Sequence, residues 1–136
     1  MAELEAIRRQ VRIRVREQGM LVRLLLQQRE QLQGSLFPRY GVCGKPTCVC
    51  RTGRRHGPYY VLSSRSAGRG TFAYLDAAEV TQVRDLLRRH REFRRGMARL
   101  RKLNADLVAL LRRYQQAVIR RGGERMSFLL QDRRDP

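Results

Sequence analysis

From Val83 to Val118 one series of residues returns at gaps that alternate three and four: Val83, Leu86, His90, Phe93, Met97, Leu100, Asn104, Leu107, Leu111, Tyr114 and Val118. Only a helix gathers such a series onto one side. The average gap is that of a heptad seam, with Val83, His90, Met97, Asn104, Leu111 and Val118 at position a and the others at d. All but His90 and Asn104 are apolar or aromatic. A seam this long needs an equally long partner. A second copy of the chain can supply it, with Val83, Leu86, Phe93, Met97, Leu100, Asn104, Leu107, Leu111, Tyr114 and Val118 as the dimer interface and Asn104 fixing its register. The N-terminal helix of the same chain can also supply it, and the two arrangements can coexist.

The seam sits in a helix expected over residues 76–121. Asp76 stands in the N-cap position with Glu79 three residues on, and Gly122 and Gly123 give the stop. The tail, residues 122–136, lacks periodicity and is expected to be mobile, with Phe128, Leu129 and Leu130 able to dock. At the other end, Leu4, Ile7, Val11, Leu21, Leu25 and Leu32 keep helical spacing, which predicts a first helix within residues 1–33. The run "VRIRVR" at 11–16 alternates like a strand, but the flanking helix formers outweigh it, leaving a bend near Gly19. Gly34 and Pro38 close this helix. No stretch approaches the roughly 20 apolar residues of a membrane span, and "MAELEAIRRQ" is no secretory signal, so a cytoplasmic protein without membrane contact is expected.

Residues 34–75 form a different module. "PYYVLSS" and "GTFAYL", separated by "RSAGR", predict a two-stranded β-hairpin with Arg65 and Arg69 at its tip. Before it, Cys43, Cys48, Cys50 and His56 stand in the spacing Cys-x4-Cys-x-Cys-x5-His and include every cysteine of the chain. Three thiolates and an imidazole are a tetrahedral set for structural Zn²⁺, and Gly44, Pro46, Gly53 and Gly57 supply the turns that wrap one ion. A metal also explains how a loop and a hairpin hold their shape. An iron–sulfur cluster and free, reactive thiols beside Arg51, Arg54 and Arg55 are the alternatives. No carboxylate lies near enough in sequence to serve a catalytic zinc as general base, so the site reads as structural. The expected fold is mainly α with a small β-hairpin: an N-terminal helix, a Cys3His zinc loop plus hairpin, and a long coiled-coil-like C-terminal helix.

The run "GSLFPRYGVCGKPTCVC", followed by "HGPYY", a hairpin and a long helix, resembles an uncharacterised family of small bacterial proteins found near mobile elements. Its mark is a Cys-Gly-Lys-Pro-x-Cys-x-Cys...His-Gly-Pro-Tyr block. The resemblance covers about residues 34–115 and implies that Cys43, Cys48, Cys50 and His56 are metal ligands and that Gly57, Pro58 and Tyr59 frame the first strand. It implies no activity. The mobile-element association favours DNA over RNA as a partner.

Charge supplies the functional reading. The formal net charge is +18, and only Lys45 and Lys102 of the 30 basic residues are lysine. Such a chain seeks a polyanion, since guanidinium groups pair with phosphate bidentately and release counterions; a GC-rich genome that inflates arginine is the competing explanation. Between Glu30 and Asp76 no acidic residue occurs. Lys45, Arg51, Arg54, Arg55, Arg65 and Arg69 in that span, with Arg84, Arg88, Arg91 and Arg95 on the long helix, are the expected nucleic-acid contacts. Tyr59, Tyr60 and Tyr74 read first as strand core, and second as stacking surfaces for unpaired bases. The expected protein is a zinc-stabilised, dimeric nucleic-acid-binding accessory or regulatory protein and not an enzyme. The alternative is an adaptor that binds an acidic protein partner through helical packing.

Overall fold

A computed structural model of the chain describes residues 1–27, 29–66 and 68–133. In order they form helix α1 (Ala2–Leu26), strand β1 (Gly34–Gly41), a single 3-10 turn (Val49–Arg51), strands β2 (His56–Ser66) and β3 (Arg69–Leu75), and helix α2 (Ala77–Asp132). The mainly helical architecture matches the sequence reading. Packing divides the chain into two units, one of residues 1–27 with 95–136, the other of residues 28–94. No helix among the described residues is long and apolar enough to cross a membrane.

The first unit is an antiparallel helix pair. Along α1, the residues that face α2 are Leu4, Ile7, Val11, Arg14, Gln18, Leu21 and Leu25, a heptad line that the sequence had largely disclosed. The direction follows from cross-links that descend α2 as α1 rises. Glu3 pairs with Arg120, Arg8 donates to the Tyr114 hydroxyl, and Gln18 Nε2 donates to Asn104 Oδ1 at 2.6 Å. At the far end Leu25 lies against Gly96, where a Cβ would stand 2.6 Å from Leu25 Cδ2.

On α2 the heptad exists, but half of it is turned by one residue. Leu100, Leu107 and Tyr114 are half-buried as the d line requires. The fully buried a line is Leu103, Leu110 and Ala117, not Asn104, Leu111 and Val118, which stay exposed. The sequence carries both lines side by side. The inner one wins because Gly96 and Ala117 are small and let the helices approach closely, as bulkier Met97 and Val118 at the same levels would not. Asn104 therefore spends its amide on Gln18 of its own chain.

In the second unit a three-stranded antiparallel sheet of order β1-β2-β3 packs with the first turns of α2. β2 and β3 are the expected hairpin, paired from Tyr60↔Leu75 to Ser66↔Arg69. β1 is an addition to it, formed by a segment whose Gly34 and Pro38 carry the signals of a helix stop. It pairs with β2 from Gly34↔Ser64 to Gly41↔His56, with a bulge after Arg39. Pro38 is tolerated because β1 is an edge strand, where a missing N–H costs no ladder bond. α1 stops at Leu26 instead of running on to residue 33, because the segment after it is committed elsewhere. The Leu32 amide donates to the Leu86 carbonyl and Arg89 reaches the Glu30 carbonyl, which an extended chain allows and a helix does not. In this unit Cys50, Val61, Val80 and Leu87 are buried, and Val83, Leu86, His90 and Phe93 are half-buried.

Asp76 caps α2 as expected, its carboxylate accepting from the Glu79 amide at 2.8 Å. The helix then passes through Gly122 and Gly123 to Asp132, so most of the expected mobile tail is helical. Two glycines cost about 1 kcal/mol each relative to alanine, and the following run of Glu124, Arg125, Met126, Leu129, Leu130 and Gln131 is strongly helix-forming. The last three tail residues, 134–136, lie outside the described residues.

Candidate metal centre and basic module

The bulge between β1 and β2 builds the site. Pairing of Gly41 with His56 brings the end of β1 and the start of β2 together, so Cys43 and His56 face each other across the loop's base. Between them the Cys48 amide donates to the Lys45 carbonyl, closing the Lys-Pro-Thr-Cys turn. Cys48 then precedes the 3-10 turn that carries Cys50, and the Gly53 amide closes that turn on the Val49 carbonyl at 2.7 Å. Gly57 is indispensable here. Its φ is +134°, and a Cβ would stand 2.8 Å from the Arg39 carbonyl oxygen.

These turns gather one donor atom each from Cys43, Cys48, Cys50 and His56, all within 4.8 Å of one another. Cys43 Sγ and Cys50 Sγ are 3.5 Å apart, too far for a disulfide, and Cys48 Sγ is 3.2 Å from His56 Nε2. A tetrahedron with metal–ligand bonds of about 2.3 Å has edges of about 3.8 Å, so the donor set is sized for a single ion. The Cys48 thiol is lowered to about 6, first by the backbone N–H of Cys50, then by the Cys50 and Cys43 thiols and His56. Cys50 is raised, burial being the main cause. The four residues form a candidate metal site as the spacing required.

The cations of this module are arranged differently from those of the helix. Arg39, Lys45, Arg51, Arg54, Arg55, Arg65 and Arg69 are all exposed, and among the described residues none joins an ion pair. On α2, by contrast, Arg88 bonds Asp85 and Glu92, Arg89 bonds Asp85, and Arg84 lies over the Tyr60 ring at 5.0 Å. Asp85 is accordingly held below the usual carboxylate range, chiefly by the Arg88 hydrogen bond. Arg84, Arg88 and Arg91 line an open groove of about 1150 Å³ against Ser35, Leu36 and Tyr60. Arg95 belongs to the helix pair.

Sequence reasoning undervalued the aromatic residues. Tyr60 is covered by Arg84, but Phe37, Tyr40, Tyr59, Phe72 and Tyr74 are exposed. Phe72 and Tyr74 alternate along one strand, but which face they and the other rings take follows only from the register.

No curated protein and no solved structure matches the chain. A family model does, over residues 2–85, which take in α1, the whole sheet, the four donor residues and the start of α2. The chain belongs to the family described as Domain of unknown function (DUF6788).

Proposed function

We propose that this protein binds nucleic acid through a basic head held in shape by one structural zinc ion, and that it does so as an accessory or regulatory factor, without chemistry of its own. The observation that carries the reading is the set of seven exposed cations on an acid-free module, none of them neutralised by an ion pair among the described residues. Desolvating and crowding like charges is unfavourable unless a polyanion meets them. Zinc is the ion the donor set suits: three sulfurs and one imidazole nitrogen within 4.8 Å enclose one ion and leave no room for the bridging sulfides of an iron–sulfur cluster. Thiolate ligands of this kind fit a reducing compartment such as the cytoplasm.

Resemblance to proteins near mobile elements makes DNA the first polyanion to try. The reading also includes a homodimer. The helix pair leaves Leu111 and Val118 half-exposed on α2, and a second copy would cover them.

The test is fluorescence anisotropy with labelled DNA across a salt series. Changing Arg51, Arg54, Arg65 and Arg69 together to Gln should lower affinity by orders of magnitude and reduce the log–log salt slope by up to about 0.9 per lost phosphate contact. Changing Arg9, Arg12, Arg112 and Arg113 of the helix pair removes the same charge and should do little. Equal losses in the two variants would mean diffuse attraction to a +18 chain and would refute the proposal.

A further inference from the structure

Directly paired strand residues share a face, and residues two apart along a strand share it as well. The register therefore sorts the sheet. Leu36 and Pro38 of β1, Tyr60, Leu62 and Ser64 of β2, and Thr71, Ala73 and Leu75 of β3 fall on one face. Tyr60 there meets Arg84, and with Leu36 and Pro38 it lines the groove against α2. The opposite face carries Phe37 and Arg39 of β1, Tyr59, Val61, Ser63 and Arg65 of β2, and Phe72 and Tyr74 of β3. Only Val61 on this face is buried, at 2% exposure, and it is flanked by rings that are not: Phe72 at 74%, Tyr74 at 65%, Tyr59 at 52% and Phe37 at 37%.

We infer that this second face binds single-stranded nucleic acid, stacking unpaired bases on Tyr59, Phe72 and Tyr74 while Arg39 and Arg65 take the phosphates at either end. The inference rests on the nucleic-acid reading above and narrows it to an unpaired strand. Four large rings left open on one sheet face mark an interaction surface. Its charge selects the occupant, since the face has arginine at both ends and belongs to a module without a single carboxylate from Gln31 to Leu75. The ligand is then an anion that also offers flat π-surfaces. Duplex DNA hides those surfaces inside the helix, whereas an unpaired strand presents them.

The spacing agrees. Phe72 and Tyr74, two residues apart on β3, stand about 7 Å from each other, and Tyr59, one strand away and two residues beyond Val61, is the diagonal neighbour of Tyr74 at about 8 Å. Two or three successive bases can therefore each find a ring. The platform is also partly set in advance: Arg39 Nη1 donates to the Tyr74 hydroxyl at 3.3 Å. Arg39, Tyr40, Gly41, Tyr59 and Tyr74 enclose a shallow depression of about 310 Å³.

The experiment compares fluorescein-labelled oligo(dT), oligo(U) and a duplex of equal length on the full chain. Phe72→Ala with Tyr74→Ala should weaken single-strand binding by at least about tenfold, since each lost base–ring stack costs that order of affinity. Duplex binding should change by less than about twofold, because phosphate contacts are untouched. Phe72→Tyr with Tyr74→Phe keeps both rings and should keep single-strand affinity. Should the alanine pair fail to fold, Phe72→Leu with Tyr74→Leu retains apolar area without rings and carries the same test. Parallel behaviour of oligo(dT) and oligo(U) supports the shared stacking chemistry, and a gap between them identifies which strand is the ligand. Single-strand affinity that survives ring removal overturns this inference while leaving the nucleic-acid reading intact. Wild-type protein that binds no oligonucleotide overturns both.

Discussion

Leu103 and Leu111 are the same side chain on the same helix, one heptad line apart, and they should answer to mutation very differently. Leu103 keeps 6% of its surface exposed and Leu111 49%. Truncating a buried leucine loses its transfer energy and leaves a cavity, together about 2–5 kcal/mol. A half-exposed leucine forfeits about half of the transfer term, roughly 1 kcal/mol, with no enclosed cavity. Leu103→Ala should therefore be the more damaging by about 2 kcal/mol, which for a domain of this size lowers the melting midpoint by roughly 8 °C more than Leu111→Ala does. The assay is thermal unfolding followed by helical circular dichroism, run at dilute chain concentration so that self-association adds nothing to stability. Equal shifts, or a larger one for Leu111→Ala, would refute the assignment of Leu103, Leu110 and Ala117 as the buried line.

Gly57→Ala should strip the candidate site of metal, because its Cβ would press on the Arg39 carbonyl at 2.8 Å in a backbone region that alanine rarely adopts; the metal-to-protein ratio reports it. Asp76 is held below the usual carboxylate range, first by the Glu79 amide, so its capping contribution is present above the unfolded value near 3.9 and is lost as pH falls through the folded value. Stability measured between pH 5 and pH 2 should thus fall more steeply in wild type than in Asp76→Asn, whose uncharged cap does not titrate; equal slopes would remove Asp76 from the pH response. Light scattering should return a dimer at micromolar concentration, and Leu111→Glu with Val118→Glu should reduce it to a single chain of 16.0 kDa; a wild-type monomer would leave the outer line of α2 without a second copy.

What the sequence disclosed depended on how local the signal was. The α1 line from Leu4 to Leu25, the Asp76 cap and the four residues of the candidate metal site are set by spacing within one element or loop, and each was legible. The a line of α2 was not, since Leu103 and Asn104 both keep a seven-residue repeat and only the small residues at 96 and 117 decide between them. β1 was missed because its evidence is tertiary. Pro38 argues against a strand until β2 is in place to make it an edge. The end of α1 was misjudged for the same reason, as Leu32 is claimed by Leu86. The double glycine at 122–123 misled in the opposite sense: a local stop signal was outweighed by helix-forming residues on both sides. Aromatic exposure could be read only once the register had assigned each ring to a face.

The central claim is that the metal holds the basic head in a shape that nucleic acid recognises. One measurement addresses it directly: oligonucleotide affinity of the full chain as purified, after removal of the metal by a chelator, and after return of one equivalent of Zn²⁺. Structural zinc contributes folding energy outright, so stripping it should collapse the loop between Cys43 and His56. Affinity should then fall by at least about tenfold, with the lost phosphate contacts lowering the salt slope, and both should recover with zinc. Affinity and salt slope that stay unchanged through removal and return would contradict the account, because binding would then need only the charge of the chain.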